Sequence, residues 1–219
     1  MHRIEAEWIW TQLAKLDSAA LCPLLNVGSS PANFREKVQP YVDSCIFAPL
    51  RERGAVVVHS DIQKAPGVDL VGDLNDSAFI ADLSGRGFRS ILCSSLLEHV
   101  VDPSAITAQL QRIIPVGGYI LVTVPNDFPY HPDPIDTMFR PNVEELAALF
   151  PHCQVVIGEI LKCGTGWDYV GHNPFTIITK VTKRLLGGYG IKGSVSYGPW
   201  LFRQAFQTCV LLQKKHADQ

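Results

Sequence analysis

Short, continuous apolar runs alternate with stretches whose apolar residues recur at helical spacing over most of the chain. The continuous runs are typical of strands covered on both faces of a sheet. They predict seven strands, at residues 21–27, 55–59, 67–71, 88–93, 119–124, 153–161 and 204–212. Helical spacing marks residues 4–16, 77–83, 103–114 and 143–150. Strands that alternate with helices predict βαβ units on a parallel sheet.

The connection between the first two strands, residues 32–53, is longer than a usual first crossover. Pro40 and Pro49 interrupt it. Because proline removes a helical hydrogen bond, we expect a short helix followed by a looser segment.

Composition narrows the class of protein. The chain has 219 residues, 47% of them hydrophobic and 18% charged, which predicts a single globular domain over residues 1–219. The net charge of −2 gives no reason to expect a nucleic-acid partner. No apolar run approaches the ~20 residues of a membrane span. Residues 1–20 carry Glu5 and Glu7 and resemble an amphipathic cap helix rather than a signal peptide.

The six cysteines include no Cys-x-x-Cys pair, and several lie in apolar, strand-like runs. Reduced, mostly buried thiols are typical of a cytoplasmic protein, and we expect that location.

Candidate ligand-binding residues follow the first three predicted strands. The first apolar run breaks at Gly28, and small residues follow that glycine. Asp61 ends the second predicted strand, and Asp73 and Leu74 follow the third. In an open α/β sheet ligands bind at the carboxyl ends of the strands. A carboxylate after the second strand can accept hydrogen bonds from ribose hydroxyls, and an acceptor beside an apolar side chain suits adenine. A helix cap or a solvated polar turn is the alternative for each.

The most specific stretch is residues 91–103, Ile-Leu-Cys-Ser-Ser-Leu-Leu-Glu-His-Val-Val-Asp-Pro. It resembles the class I S-adenosylmethionine-dependent methyltransferases, in the small-molecule branch whose fourth strand leads into Leu-Glu-His and then Asp-Pro. Residues 115–125, Pro-Val-Gly-Gly-Tyr-Ile-Leu-Val-Thr-Val-Pro, are similar to the turn and fifth strand of that branch. The resemblance covers roughly residues 21–150.

The resemblance implies a Rossmann-like α/β fold with helices on both faces of a seven-stranded, mostly parallel sheet. It also implies the strand order 3-2-1-4-5-7-6, with the last strand antiparallel, and S-adenosylmethionine as the cofactor. The residues that it assigns to cofactor binding lie at the strand ends. They are Asn26, Gly28, Ser29, Asp61, Asp73, Leu74, Ser94 and Ser95.

Candidate catalytic residues are His99, in the Leu-Glu-His sequence, and His131 and Asp136, in the proline-rich loop 125–141. In this fold that loop faces the methyl acceptor, and a histidine there could take a proton from a hydroxyl or amine. Two alternatives remain open: His131 and Asp136 brace the loop, or His131, Asp133 and Asp136 hold a metal. The spacing matches no specific metal signature, so we expect no metal.

These observations favour a methyltransferase that acts on a small molecule or a sugar-like metabolite. Asn26 and Ser30 stand where relatives carry an acidic residue and a second glycine, which leaves a non-catalytic interaction module as an alternative. A nicotinamide-dependent oxidoreductase is the third reading, although its Gly-x-Gly-x-x-Gly sequence is absent after the first strand.

Residues 162–200 form a long insertion between the last two predicted strands, rich in glycine and aromatic residues. A segment of this length in a compact domain usually serves a function. We expect a helix-containing lid over the acceptor, with a homodimer surface as the alternative.

Overall fold

The computed structural model describes residues 1–131, 135–165 and 202–215. Its sheet has seven strands in the order β3-β2-β1-β4-β5-β7-β6. The strands are β1 (Leu24–Val27), β2 (Val57–Asp61), β3 (Leu70–Val71), β4 (Ser90–Ser94), β5 (Tyr119–Asp127), β6 (Cys153–Thr165) and β7 (Gln204–Lys214). β1 to β5 pair in parallel, whereas β7 lies antiparallel between β5 and β6. The predicted fold and strand order are confirmed.

Seven α-helices flank this sheet in the described part of the chain. They are α1 (Arg3–Leu13), α2 (Ser18–Leu21), α3 (Pro40–Val42), α4 (Ala48–Glu52), α5 (Ser77–Gly85), α6 (Pro103–Ile113) and α7 (Val143–Ala148). None of these helices combines the length and the apolar composition that a membrane crossing needs.

The two faces of the sheet are covered by different helices, because successive residues of a strand point to opposite sides. In β4, Leu92 packs into a buried cluster with Ile9 of α1 and Leu50 of α4. Its neighbour Ile91 packs into a second cluster with Leu110 of α6 and other residues of α5, α6 and α7. Helices therefore lie on both faces, as predicted, and the strand ends remain free for a site.

The connection between β1 and β2 differs from our expectation of a short helix and a looser segment. It is helical over residues 34–38 and 40–52, with a break at Gln39 and with π-helical turns at Phe34–Val38 and Asp43–Phe47. Pro40 and Pro49 lie in the first turns of α3 and α4. Pro40 follows the non-helical Gln39, so its missing N–H needs no acceptor and this proline starts a helix instead of ending one. Pro49 lies where the π-helical turn passes directly into α4, and the helix continues through it.

Helix α1 lies within residues 1–20, for which we expect a cap helix, and the short α2 follows it. The predicted insertion of residues 162–200 lies outside the described residues except for 162–165, which extend β6. All six cysteines are free thiols.

Candidate functional site

A cavity of about 770 Å³ opens at the carboxyl ends of the central strands. Of the predicted site residues, only Asp136 does not line it. The lining includes Asn26, Gly28, Ser29, Asp61, Asp73, Leu74, Ser94, Ser95, His99 and His131. Topology accounts for this grouping, because parallel strands end at the same edge of a sheet.

The loop after β1 is held by the carboxylate that ends β2. Asp61 accepts hydrogen bonds from the backbone N–H of Ser30 (Oδ2, 2.9 Å) and of Gln63 (Oδ1, 3.0 Å). Gly28 and Ser30 both have positive φ, +63° and +56°. A serine adopts that conformation at a cost of ~1–2 kcal/mol, which these loop contacts must offset. A carboxylate has about four acceptor positions, so Asp61 retains capacity for a ligand's hydroxyls.

Arg35 is a buried residue of this loop that sequence reasoning missed. Its guanidinium donates to the carbonyls of Ser29 (2.9 Å) and Gly67 (2.8 Å) and also to that of Ser30. It therefore ties the β1 loop to the segment before β3. Its position inside a helical turn, seven residues after Gly28, offers no recognisable sequence signal.

Asn26 lies in β1 beside His59 of β2, and the two side chains form a hydrogen bond of 3.0 Å between Nδ2 and Nδ1. Burial, together with the nearby Arg35, lowers the pKa of His59 to about 4. Neutral His59 accepts the hydrogen bond that the Asn26 amide donates. The amide is therefore engaged with the protein at the floor of the cavity.

The third strand contributes Asp73 and Leu74. One oxygen of Asp73, Oδ1, accepts from the backbone and side-chain nitrogens of Asn75 (2.8 and 3.0 Å). Ile62 also lines the cavity and is 65% exposed. The wall near Asp61 and Asp73 therefore combines carboxylate acceptors with apolar side chains, a combination that suits a nucleoside.

Ser94 and Ser95 lie at the end of β4. Ser95 has a φ of +49°, and its backbone N–H donates to the carbonyl of Thr123 in β5 (2.9 Å). Its hydroxyl accepts from Gln207 of β7 (3.4 Å). The sharp turn after β4 is thus anchored to the adjacent strand β5 and, through Gln207, to β7.

His99 and His131 meet at the other end of the cavity, with ring centroids 5.2 Å apart. His99 Nδ1 lies 2.5 Å from the carbonyl of Ile135, and His131 Nδ1 lies 3.1 Å from that of Pro129. Each of these contacts requires a proton on Nδ1. In the neutral ring, Nε2 then carries the free lone pair.

Asp136 lies behind His131, and its side chain is fully buried. Its Oδ2 lies 3.0 Å from His131 Nδ1 and accepts from Arg140 Nη2 (2.7 Å) and from the backbone N–H of His131 (2.9 Å). Its Oδ1 accepts from the backbone N–H of Met138 (2.8 Å). These donors hold the pKa of Asp136 below its usual value although burial opposes them. The carboxylate braces the loop and orients the imidazole, and it reaches the cavity only through His131.

Glu98 is fully buried, and neither carboxylate oxygen makes a hydrogen bond to another described residue. Burial raises its pKa to about 8. The backbone carbonyl of Glu98, in contrast, accepts from the N–H and the hydroxyl of Thr137 (2.9 and 3.1 Å).

Met1, His2 and Phe128 complete this end of the cavity. The Phe128 ring packs edge-on against both His2 and His131. Burial lowers the pKa of His2 to about 4. Nothing in the sequence pattern of residues 1–20 indicated that the first two residues would line a site.

No protein-family model and no curated protein sequence matches the chain. Solved structures, in contrast, share its fold. Coclaurine N-methyltransferase, in a crystal structure with N-methylheliamine and SAH, matches with a TM-score of 0.52 and 13% identity, over 97% of this chain and 70% of that one.

Two further structures are similar. A protein of Galdieria sulphuraria assigned as a sarcosine dimethylglycine methyltransferase matches with a TM-score of 0.52 and 12% identity, over 96% of this chain and 85% of that one. The [4+2]-cyclase SpnF matches with a TM-score of 0.55 and 12% identity, over 95% and 80%. The chain therefore has the fold of the class I S-adenosylmethionine-dependent methyltransferases.

Proposed function

We propose that the protein is an S-adenosylmethionine-dependent methyltransferase whose acceptor is a small molecule or a sugar-like metabolite. The observation that carries the proposal is the cavity, because it gathers residues from the ends of four strands. Its volume lies within the range typical of small-molecule sites, ~300–1,000 Å³.

The nucleoside of the cofactor is assigned to the wall formed by Asp61, Ile62, Asp73 and Leu74. Asp61 would accept the ribose hydroxyls, and Asp73 the amino group of adenine. Gly28 and the backbone around it would lie against the methionine part, since a residue without a Cβ allows close approach. Ser94 and Ser95 would lie near the methyl donor.

The acceptor is assigned to the end of the cavity with His99 and His131. A neutral imidazole nitrogen there can take the proton that a hydroxyl or amine loses when it is methylated. Most of the rate would come from alignment of donor and acceptor, an effect worth up to ~7–11 kcal/mol. In this assignment Asp136 is a positioning residue, which acts by fixing the ring of His131.

Fold alone does not settle function, and the similarity to a [4+2]-cyclase illustrates that point. The oxidoreductase reading is disfavoured by the sheet, because dinucleotide folds have the order 3-2-1-4-5-6 without an inserted antiparallel strand. The non-catalytic reading predicts no turnover whatever the ligand. A cytoplasmic location and a homodimer remain part of the proposal.

Calorimetric titration of the purified protein with S-adenosylmethionine, with SAH and with NAD tests the cofactor assignment. We expect the first two to bind and NAD not to bind. Asp61→Ala should weaken S-adenosylmethionine binding about tenfold or more, because a hydrogen bond to a charged group contributes ~1.5–3 kcal/mol. Asp82→Ala is the matched control, since Asp82 is an exposed acid of α5 whose ion pair among the described residues is with Arg86.

Because Asp61 also holds two backbone N–H groups, the thermal unfolding of each variant should be recorded beside its affinity. Unchanged affinity in Asp61→Ala would overturn the ribose assignment. Formation of SAH should then be followed over a panel of small hydroxyl and amine acceptors that includes sugars. Cofactor binding without turnover on any acceptor would favour the non-catalytic reading.

A further inference from the structure

Three side chains at the acceptor end of the cavity bring possible metal-ligand atoms close together. Glu98, His99 and His131 each offer one ligand atom, and these atoms all lie within 4.8 Å of one another. Glu98 Oε1 and His99 Nε2 are 3.8 Å apart. Donors on a tetrahedral zinc ion lie about 3.4 Å apart, because Zn–N and Zn–O bonds are about 2.0–2.2 Å. Small side-chain rotations would therefore bring the three into coordination.

The two imidazoles are oriented as metal-binding histidines usually are. A ligating histidine donates its other ring N–H to a backbone carbonyl or a carboxylate. His99 Nδ1 faces the carbonyl of Ile135, and His131 Nδ1 faces the carbonyl of Pro129 and the carboxylate of Asp136. Arg140 and two backbone N–H groups hold Asp136 in turn. Both rings thus keep Nε2 unprotonated and available.

Glu98 provides an independent observation. Its side chain is fully buried, yet neither oxygen makes a hydrogen bond to another described residue. A buried, unpaired polar group is costly, and native structures rarely retain one without a ligand or a function. When Glu98 is ionised, the two unprotonated ring nitrogens cannot satisfy its carboxylate, because neither nitrogen carries a proton to donate. A cation satisfies all three at once.

We propose that Glu98, His99 and His131 bind a divalent transition-metal ion at the acceptor end of the cavity. Two histidines and one glutamate are a common ligand set of catalytic zinc sites, which keep an open position for water or substrate. The imidazole side chains are 18% and 27% exposed, whereas Glu98 is not exposed. The ion would lie between the buried carboxylate and the cavity, with its open positions toward the cavity.

This site differs from the metal site that the sequence analysis left open as an alternative, which combined His131 with Asp133 and Asp136. Asp136 instead accepts a hydrogen bond from Arg140 and orients the ring of His131. Asp133 lies outside the described residues. In the proposed site His99 and His131 are metal ligands, whereas the acceptor assignment above uses an imidazole as a base. An oxygen ligand of the bound molecule would complete the ion's coordination, and the ion would stabilise that oxygen as an anion.

Chelator-treated full-length protein should be titrated with Zn²⁺ by calorimetry, and with Co²⁺ while visible absorption is recorded. We expect one equivalent to bind, and Glu98→Gln, His99→Gln and His131→Gln each to weaken binding tenfold or more. His152→Gln is the matched control, because His152 is exposed and lies outside the cavity, and it should bind like the parent. Asp136→Asn should weaken binding about 10- to 100-fold without removing a ligand.

Glu98→Gln preserves the side-chain volume and removes the charge. The unfolding transition of this variant, recorded without metal, therefore checks that it keeps the fold. The proposal is overturned if metal binding is unchanged both in Glu98→Gln and in the double variant that combines His99→Gln with His131→Gln. That result would identify an adventitious surface ion. Absence of binding to the parent would overturn it too. Neither result bears on cofactor binding, which is measured with S-adenosylmethionine in the absence of metal.

Discussion

At the scale of single residues, the hydrogen bond between Asn26 and His59 fixes a protonation state. Nδ1 of His59 accepts from the Asn26 amide at 3.0 Å, so a proton on that nitrogen would set two donors against each other. Burial lowers the pKa of His59 to about 4; Arg35 adds to the effect, and Asp69 opposes it. The folded protein therefore holds this side chain neutral in a range where the unfolded chain protonates it.

The contribution of His59 to the free energy of unfolding should fall as the pH is lowered from about 6.5 towards about 4, whereas Glu98, whose pKa burial raises to about 8, acts in the opposite direction. Over this range the unfolded state takes up the proton and the folded state does not. The stability that neutral His59 contributes is therefore fully present above pH 6.5 and is lost as the pH falls towards about 4. His59→Asn should reduce this slope, because an amide oxygen can replace Nδ1 and does not titrate. Urea unfolding at pH 7.5 and pH 5 measures the difference.

His2 and His131, whose pKa values burial also lowers, should maintain part of the slope in the variant. Identical slopes in the parent and in His59→Asn would contradict the assignment.

At the scale of elements, the turn out of β1 depends on Gly28 for two separable reasons. Its φ is +63°, and a Cβ would lie 3.0 Å from Leu96 Cδ1. Gly54 has a similar φ, +71°, but a Cβ there would meet nothing within 4 Å. The two glycines therefore share the conformational requirement and differ in their surroundings.

Both Gly28→Ala and Gly54→Ala should lower the free energy of unfolding by ~1–2 kcal/mol, the cost of the left-handed conformation for a residue with a Cβ. Only Gly28→Ala should also weaken binding of S-adenosylmethionine, because its methyl group lies at the cavity wall and pushes on Leu96. Urea unfolding and calorimetry of the two variants separate these effects. Equal affinities would show that the loop does not approach the ligand.

The sequence predicted the strands well because each buried strand is a continuous apolar run, as in β4 and β5. It failed between β1 and β2, where Pro40 and Pro49 were interpreted as interruptions. Whether a proline ends a helix or begins one depends on which residue occupies its first turn, and the apolar pattern does not fix that register.

The candidate cofactor residues were predictable for a topological reason, since strand ends of a parallel sheet meet at one edge. Arg35, Glu98 and His2 depend instead on packing between segments far apart in the chain. Sequence spacing cannot show that the Glu98 carboxylate would be buried without a hydrogen-bonding partner, or that His2 would reach the cavity.

At the scale of the whole molecule, one buried carboxylate joins the first helix to the two strands beside the cavity. Glu5 of α1 is fully buried and accepts from the hydroxyl of Thr123 in β5 (2.5 Å) and from the amide of Gln207 in β7 (3.3 Å). It also accepts from the backbone N–H of His2 (2.9 Å) and so completes the start of the helix. Gln207 continues the network to Ser95 at the cavity wall.

Glu5→Ala should lower the free energy of unfolding by ~1–3 kcal/mol, because Thr123 and Gln207 would keep buried donors without an acceptor. Glu5→Gln should lose less, since an amide oxygen can still accept. Glu7→Ala is the control: Glu7 lies on the same helix and is exposed, and in the part of the chain that the structure describes its ion pair is with Arg3, an interaction worth ~0.3–0.5 kcal/mol. Urea unfolding of the three variants gives the comparison. If Glu5→Ala lost no more stability than Glu7→Ala, the network would not hold α1 on the sheet, and the first residues would line the cavity only through the apolar packing of Ile9 and Leu13.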